Sequence, residues 1–313
     1  MSSNPGIHQV AKITARDVAD TLADICPDLV VSSVSRGPSS YSNRLWRADT
    51  SDGAVLVRIP GRNTNVEHAR ATLIATELAR RAGIPTVHYR TFASTTRLGL
   101  PVIVQELLPG ENATTAVRAG RADIREIAAR LGDWIGRLHG VRRDTFGDVA
   151  VDAGAQSWPV AVAAQVSAAL STVFEDILPT DRTTIETAFD QAIAELGPTC
   201  RASLTHGDLY LDNILVDCGK PVALLDFEAA RFSDRFADFG KLSELLFEWW
   251  PDSKEPFLRS YFEHFSAAPS DPVRLRLGIG LYALNQLAYF AKWQPDLVPE
   301  YRMRLEHWLS SRA

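Results

Sequence analysis

The residues best equipped for chemistry lie between positions 204 and 228. Leu204-Thr205-His206-Gly207-Asp208-Leu209-Tyr210-Leu211-Asp212-Asn213-Ile214-Leu215-Val216 is followed by Leu224-Leu225-Asp226-Phe227-Glu228. Asp208 stands five residues before Asn213, and Asp226 thirteen residues after it. Residues 213–217 and 222–226 read as short strands joined by a Cys218-Gly219-Lys220-Pro221 turn, so a hairpin brings the two ends of the segment together. Three oxygen-bearing side chains then converge. Such ligands suit Mg2+, which keeps some of its waters and leans on substrate phosphates. A lone Asp beside Gly is more often a turn residue, and it is the spaced set that singles these out. The seven histidines show no His-x-x-x-His spacing, which argues against metal-assisted hydrolysis at a His/carboxylate centre.

The elements that must position this segment fall into two groups. Residues 13–25 have helical spacing, with Thr14 as N-cap before Val18, Leu22 and Ile25. Residues 42–49 and 54–59 read as strands joined by Ser51-Asp52-Gly53. Residues 66–82 read as a helix with Gly83 at its C-cap, and 101–107 as a strand closed by Pro109-Gly110. Beyond this point the pattern changes. Ile124, Ile127, Leu131, Ile135 and Leu138 mark an amphipathic helix over 122–139. An Ala/Val-rich helix lies between Pro159 and Pro179, another over 183–196 stops at Gly197-Pro198, and 238–249, 255–265, 272–292 and 300–311 are helical in character. A β-rich portion before a helix-rich one predicts an α+β fold in two lobes, residues 1–109 and 110–313.

Composition sets the outer limits. A chain of 313 residues that is 46% hydrophobic and 23% charged can bury a sizeable core, which excludes a disordered chain or a small disulfide scaffold. Cys26, Cys200 and Cys218 are few, odd in number and far apart, which favours a reducing compartment. No apolar run approaches the ~20 residues of a membrane span, and Met1-Ser2-Ser3-Asn4-Pro5 lacks the features of a signal peptide. The expectation is a soluble cytoplasmic protein. A net charge of −5 argues against a nucleic-acid partner, and no obligate protein partner is evident. Charge is uneven: residues 1–159 carry a net +3 and residues 160–313 a net −8, a division that suits an anion on the first lobe and a cation on the second.

The spacing His-Gly-Asp-(four residues)-Asn, then Asp-Phe-Glu, resembles the aminoglycoside phosphotransferase and choline kinase superfamily, small-molecule kinases with a protein-kinase-like fold. Further motifs follow in the family's order: Gly37-Pro38-Ser39-Ser40-Tyr41-Ser42-Asn43 for the nucleotide loop, Val57-Arg58-Ile59-Pro60 for a first-lobe strand, Gly83-Ile84-Pro85, Glu106-Leu107-Leu108-Pro109-Gly110 for the hinge, and Leu138-His139. The resemblance implies ATP and Mg2+. It places Asp208 at the attacking hydroxyl, Asn213 and Asp226 on the metal, and Ser42, Arg58, Glu106 and Leu108 around the nucleotide. His206 would orient the loop, and Asp238 would cap the following helix and brace the loop. Two departures stand out. The family's strand lysine is replaced by Arg58, as in the choline kinase branch, and a guanidinium holds phosphate oxygens bidentately. The helix glutamate that pairs with that cation is missing at Arg70-Ala71-Thr72-Leu73; Glu67 is the better replacement, Glu77 the other.

The resemblance leaves the acceptor open. The acidic second lobe favours a cation, either an aminoglycoside or amino-sugar compound held by carboxylates, or choline or ethanolamine held in an aromatic cage. Glu228 and Trp249 are the candidate acceptor contacts. Trp249, Trp250, Tyr261, Tyr282, Tyr289, Trp293 and Trp308 are the candidate cage aromatics, although core packing explains such residues more often. The reading preferred here is the amino-sugar type. A catalytically silent, pseudokinase-like nucleotide-binding module is the alternative of another class.

Overall fold

In the computed structural model, residues 13–38, 40, 43–61, 63–151, 153–196 and 201–311 are described. Helix α1 (Ala15–Ile25) opens on Thr14, whose hydroxyl accepts from the Asp17 amide while the Asp17 carboxylate accepts from the Thr14 amide. Five strands and one helix follow: β1 (Val31–Arg36), β2 (Asn43–Thr50), β3 (Gly53–Pro60), α2 (Val66–Arg81), β4 (Tyr89–Ala93) and β5 (Val102–Glu106). The strands form one antiparallel sheet in the order β1-β2-β3-β5-β4. Strand alternation gives the sheet two faces. Trp46, Ala48, Val55, Val57, Ile59, Val102 and Val104 share a core with Val18 and Leu22 of α1. By the same period Asn43, Leu45, Leu56, Arg58, Ile103 and Gln105 belong to the opposite face, and Arg58, 8% exposed, lies at mid-sheet between Leu45 and Ile103.

The rest of the chain is mostly helical. It contains β6 (Glu111–Asn112), α3 (Ala113–Arg118), α4 (Ile124–Gly140), β7 (Arg142–Arg143), β8 (Gly147–Asp148), α5 (Trp158–Thr172), α6 (Arg182–Ala194), β9 (Ala202–Thr205), β10 (Ile214–Asp217), β11 (Lys220–Leu224) and β12 (Arg231–Ser233). It ends with α7 (Ala237–Leu242), a π-helical turn (Ser243–Glu248), α8 (Lys254–Tyr261), α9 (Asp271–Trp293) and α10 (Val298–Ser310). Ile127, Leu131, Ile135 and Leu138, the stripe read from the sequence, are buried in one core with Phe239, Leu246, Phe257 and Tyr261. Burying each of them is worth about 1.5–3 kcal/mol, which makes α4 the support of this part of the molecule.

Strands β10 and β11 form the expected hairpin. Asp217 faces Lys220, and the two residues between them, Cys218 (φ 48°) and Gly219 (φ 79°), are both left-handed, as a two-residue turn of this hand requires. The second strand has the expected length but starts and ends two residues earlier than the sequence suggests, at Lys220 and Leu224. It ends at Leu224, because Asp226 is itself left-handed (φ 64°) and turns the chain into a single 3-10 turn, Phe227–Ala229. Cys26 is buried and Cys218 exposed, while Cys200 and the Gly197-Pro198 stop lie outside the described residues. Among the described residues no helix is long and apolar enough to cross a membrane.

Candidate active site

The loop from His206 to Asn213 joins β9 to β10. Gly207 has φ 77°, and a Cβ there would run into the Ala229 carbonyl, so only glycine fits. Asp238, in the first turn of α7, holds this loop by its backbone. One carboxylate oxygen accepts from the His206 amide (2.8 Å) and from His139 Nε2 (3.0 Å); the other accepts from the Gly207 amide (2.7 Å). Burial alone would raise the pKa of Asp238, but hydrogen bonding and charge from His139 and His206 outweigh it and hold the carboxyl below its ordinary value. Asp238 does not cap its helix. Asp234 accepts from the Phe236 amide at 2.8 Å instead. His206 donates from Nε2 to the Leu225 carbonyl (2.8 Å) and accepts at Nδ1 from the Asp208 amide (3.2 Å), which fits it for orienting the loop.

Asn213 ties the segment together. Its Nδ2 donates to the Asp208 carbonyl (2.8 Å) and to Asp208 Oδ2 (3.1 Å), which leaves its amide oxygen as the available ligand. Its backbone carbonyl accepts from the Leu225 amide at 2.8 Å, next to Asp226. The sheet reaches the hairpin through Arg58, which donates to Asp226 Oδ1 (3.0 Å) and pairs with Glu228, while Asn43 Nδ2 donates to Glu228 Oε1 (2.7 Å). Burial disfavours the Arg58 charge, but Glu228 and Asp226 outweigh that cost and raise its pKa above the ordinary value. Glu228 is thus engaged by the sheet, on the Arg58 side of the site.

The other expected residues divide. Glu67 does not pair with Arg58. Its side chain is 69% exposed on the first turn of α2, 3.7 Å from Arg70, about 140° around the helix from the buried Thr72. Glu77 is taken by Arg80 and Arg81, which hold its pKa down to about 2. The helix therefore contributes no carboxylate to Arg58, and both partners come from the turn after β11. Glu106 turns its carboxylate back onto the His88 amide (2.6 Å), and Leu108 lines a cavity of about 510 Å3 between Gly37-Pro38 and Leu107–Gly110. Ser42 lies outside the described residues. Trp249 is 61% exposed just after the π-helical turn, whereas Tyr261 and Trp308 are buried in the core, so the seven aromatics do not make one cage.

Three residues were missed. Lys241 of α7 pairs with Asp208 Oδ1 and lies 4.5 Å from the centre of the Tyr210 ring; its spacing of three from Asp238 was the available signal. Gln105 is buried with Oε1 unpaired, a polar residue closing the apolar run Val102-Ile103-Val104. Glu244, in the π-helical turn, is 4% exposed and accepts from the Tyr301 hydroxyl at 2.7 Å. Its pKa is raised, chiefly by burial.

Among the described residues no three His, Cys, Asp or Glu side chains form an all-protein metal cage. Asn213 and Asp226 supply oxygen alone, the donor set of a hard cation shared with a phosphate, so the residues present fit Mg2+.

A β-sheet carrying a buried arginine to a hairpin with this Asp, Asn and Asp set belongs to a small-molecule kinase. Residues 33–277 match the model of the phosphotransferase enzyme family, and the chain belongs to that family. No curated protein matches it in sequence. Among solved structures it is similar to aminoglycoside phosphotransferase APH(4)-Ia, at 16% identity over 96% of this chain and 100% of that one, with a TM-score of 0.75. It is also similar to macrolide 2'-phosphotransferase MphH from Brachybacterium faecium (20%, 96% and 98%, TM-score 0.64) and to a putative fructosamine-3-kinase from Haemophilus somnus (16%, 93% and 96%, TM-score 0.68). The α+β, two-part, kinase-like fold expected from the sequence is the fold observed.

Proposed function

We propose that the chain transfers the γ-phosphoryl group of ATP, with Mg2+, to a hydroxyl of a small cationic acceptor of the aminoglycoside or amino-sugar type, in the cytoplasm and as a step of antibiotic modification. The observation that carries this reading is the Asp208–Asn213 pair joined through the hairpin to Asp226 and Arg58. Residues 1–109 form the nucleotide lobe and 110–313 the acceptor lobe. The cavity at Gly37-Pro38 and Leu107–Gly110 takes the base, against the backbone of Glu106 and Leu108. Ser42, outside the described residues, is assigned to the phosphates from its place in the sequence motif alone.

Phosphoryl transfer is mostly positioning and charge neutralisation. Asp208 orients the acceptor hydroxyl and takes its proton as the oxygen bonds to the γ-phosphorus; the bond to the β–γ bridging oxygen breaks and ADP leaves. Asn213 and Asp226 would hold Mg2+, which when bound would neutralise charge on the phosphates. The Arg58 fork, held on Asp226 and Glu228, is the group proposed to grip the phosphate oxygens, and its burial beside the metal-site candidate Asp226 supports that reading. On the acceptor side Glu244, Glu248 and Trp249 follow Lys241 along one helical run, and an acidic lobe of this kind favours an amine-bearing acceptor.

The test is ADP release with Mg·ATP against aminoglycosides, amino-sugar antibiotics, choline and ethanolamine, with Asp208→Asn alongside. Turnover with an amino-sugar acceptor that drops ~10²–10⁴-fold in the variant is expected. Turnover that survives the substitution sinks the mechanism. Turnover with choline alone moves the acceptor class, and ATP binding without turnover leaves a silent binding module.

A further inference from the structure

The loop that carries Asp208 is held by two residues of one short helix, each acting on a different part of it. Asp238 fixes the loop backbone through the His206 and Gly207 amides. Lys241, three residues on, reaches the carboxylate itself: its ammonium pairs with Asp208 Oδ1 and sits over the Tyr210 ring, 4.5 Å from its centre. With Asn213 Nδ2 on Oδ2, both carboxylate oxygens have a donor. The Lys241 side chain is 16% exposed and that of Asp208 31%, so the pair is open to solvent. The backbone of the loop does not depend on this pair, since Asp238 and His206 already hold it.

From this division of labour we infer that Lys241 is a positioning residue for transfer. It holds the Asp208 carboxylate in a single orientation, with Tyr210 limiting where the ammonium can sit, so that the remaining lone pairs face the incoming hydroxyl. The inference rests on the phosphotransfer reading above and concerns the same site. A carboxylate released from Lys241 samples other rotamers, and a misplacement of about 1 Å at a reacting group costs on the order of 10²-fold in rate.

The measurement is steady-state ADP release from Mg·ATP, with water as the acceptor and again with any acceptor the panel identifies. The proteins are wild type, Lys241→Met, Lys241→Arg, Asp208→Asn and the Lys241→Met/Asp208→Asn double variant. Lys241→Met should lower kcat roughly 10- to 100-fold with KM for ATP and the melting temperature unchanged, and Lys241→Arg should recover part of the loss. In the Asp208→Asn background Lys241→Met should cost nothing further, because residues that act as a unit are not additive. A Lys241→Met enzyme within about twofold of wild type overturns the inference, as does a loss that multiplies with that of Asp208→Asn. Asp208→Asn separates the two readings. If it cuts turnover while Lys241→Met stays within about twofold of wild type, only the role of Lys241 falls; if Asp208→Asn leaves turnover intact, or if wild type releases no ADP with any acceptor, the phosphotransfer reading falls with it.

Discussion

Substituting Asp238 by Asn tests how the His206–Asn213 loop is held. The carboxylate accepts three hydrogen bonds, two of them from backbone amides, at 2.7–3.0 Å. An amide offers a single acceptor oxygen, so whichever way the substituted side chain turns, at least one donor faces its NH2. Losing a hydrogen bond to a charged group costs about 1.5–3 kcal/mol, and leaving a buried N–H unpaired about 1–3 kcal/mol. A total near 3 kcal/mol lowers the melting temperature by roughly 6–12 °C in a chain somewhat above the 150–250-residue range. The same change loosens the backbone of His206 and Gly207, so kcat should fall on the order of 10²-fold. The acid dependence follows from the lowered pKa of Asp238. The unfolded chain binds this proton more readily than the folded one, so the stabilisation is complete above the ordinary value of 3.8 and is lost as pH falls through the lower folded value. Calorimetric melting of both proteins from pH 7 downward should give a constant gap that closes only below about pH 4. A gap under about 2 °C at pH 7, or full activity in the variant, refutes the bracing role.

Other perturbations follow from the same geometry. Arg58→Met leaves Asp226 and Glu228 facing each other without their shared cation, at a cost of about 3 kcal/mol, and should weaken ATP binding at least tenfold by titration calorimetry; unchanged affinity removes Arg58 from the nucleotide site. Gln105→Leu removes a buried, unpaired amide oxygen and should raise the melting temperature while raising KM for ATP; a destabilised variant means the amide is already satisfied. Glu244 has a raised pKa from burial, so the folded state holds its proton more tightly and wild-type stability falls as pH rises above about 4.5. Glu244→Gln should lack that fall, and parallel melting curves of the two proteins between pH 4.5 and 8 count against it.

How much of this was legible depended on whether neighbours in sequence or partners in space decide a residue's place. The strands β2 and β3, the stripe on α4 and the β10–β11 hairpin announce themselves through short periods and turn residues. Strand β1 does not: Val31-Ser32-Ser33-Val34-Ser35-Arg36 is a half-exposed edge with little apolar content, and only pairing with β2 makes it a strand. The proposed set of Asp208, Asn213 and Asp226 rests on fixed spacing around one hairpin, so it can be picked out without a structure. The partners of Arg58 do not, because Asp226 and Glu228 lie 168 and 170 residues away and reach it only once the two parts of the chain close on each other.

The same logic explains why Glu67 was the wrong expectation. A helix carboxylate can be placed in sequence to within a turn, but its face is set by what the helix packs against. Thr72 and Thr76 occupy the buried side of α2, with the Thr76 hydroxyl 3.1 Å from that of Tyr89, and this rotates Glu67 into solvent. A guanidinium buried in the sheet still requires compensation. Here the turn at Asp226 to Glu228 supplies it, so the charge that the helix lacks is provided by the segment to which the phosphotransfer chemistry is assigned above. Coupling Arg58 to Asp226 in this way makes the five-stranded sheet and the hairpin one electrostatic unit, and a substitution at either end should be felt at the other.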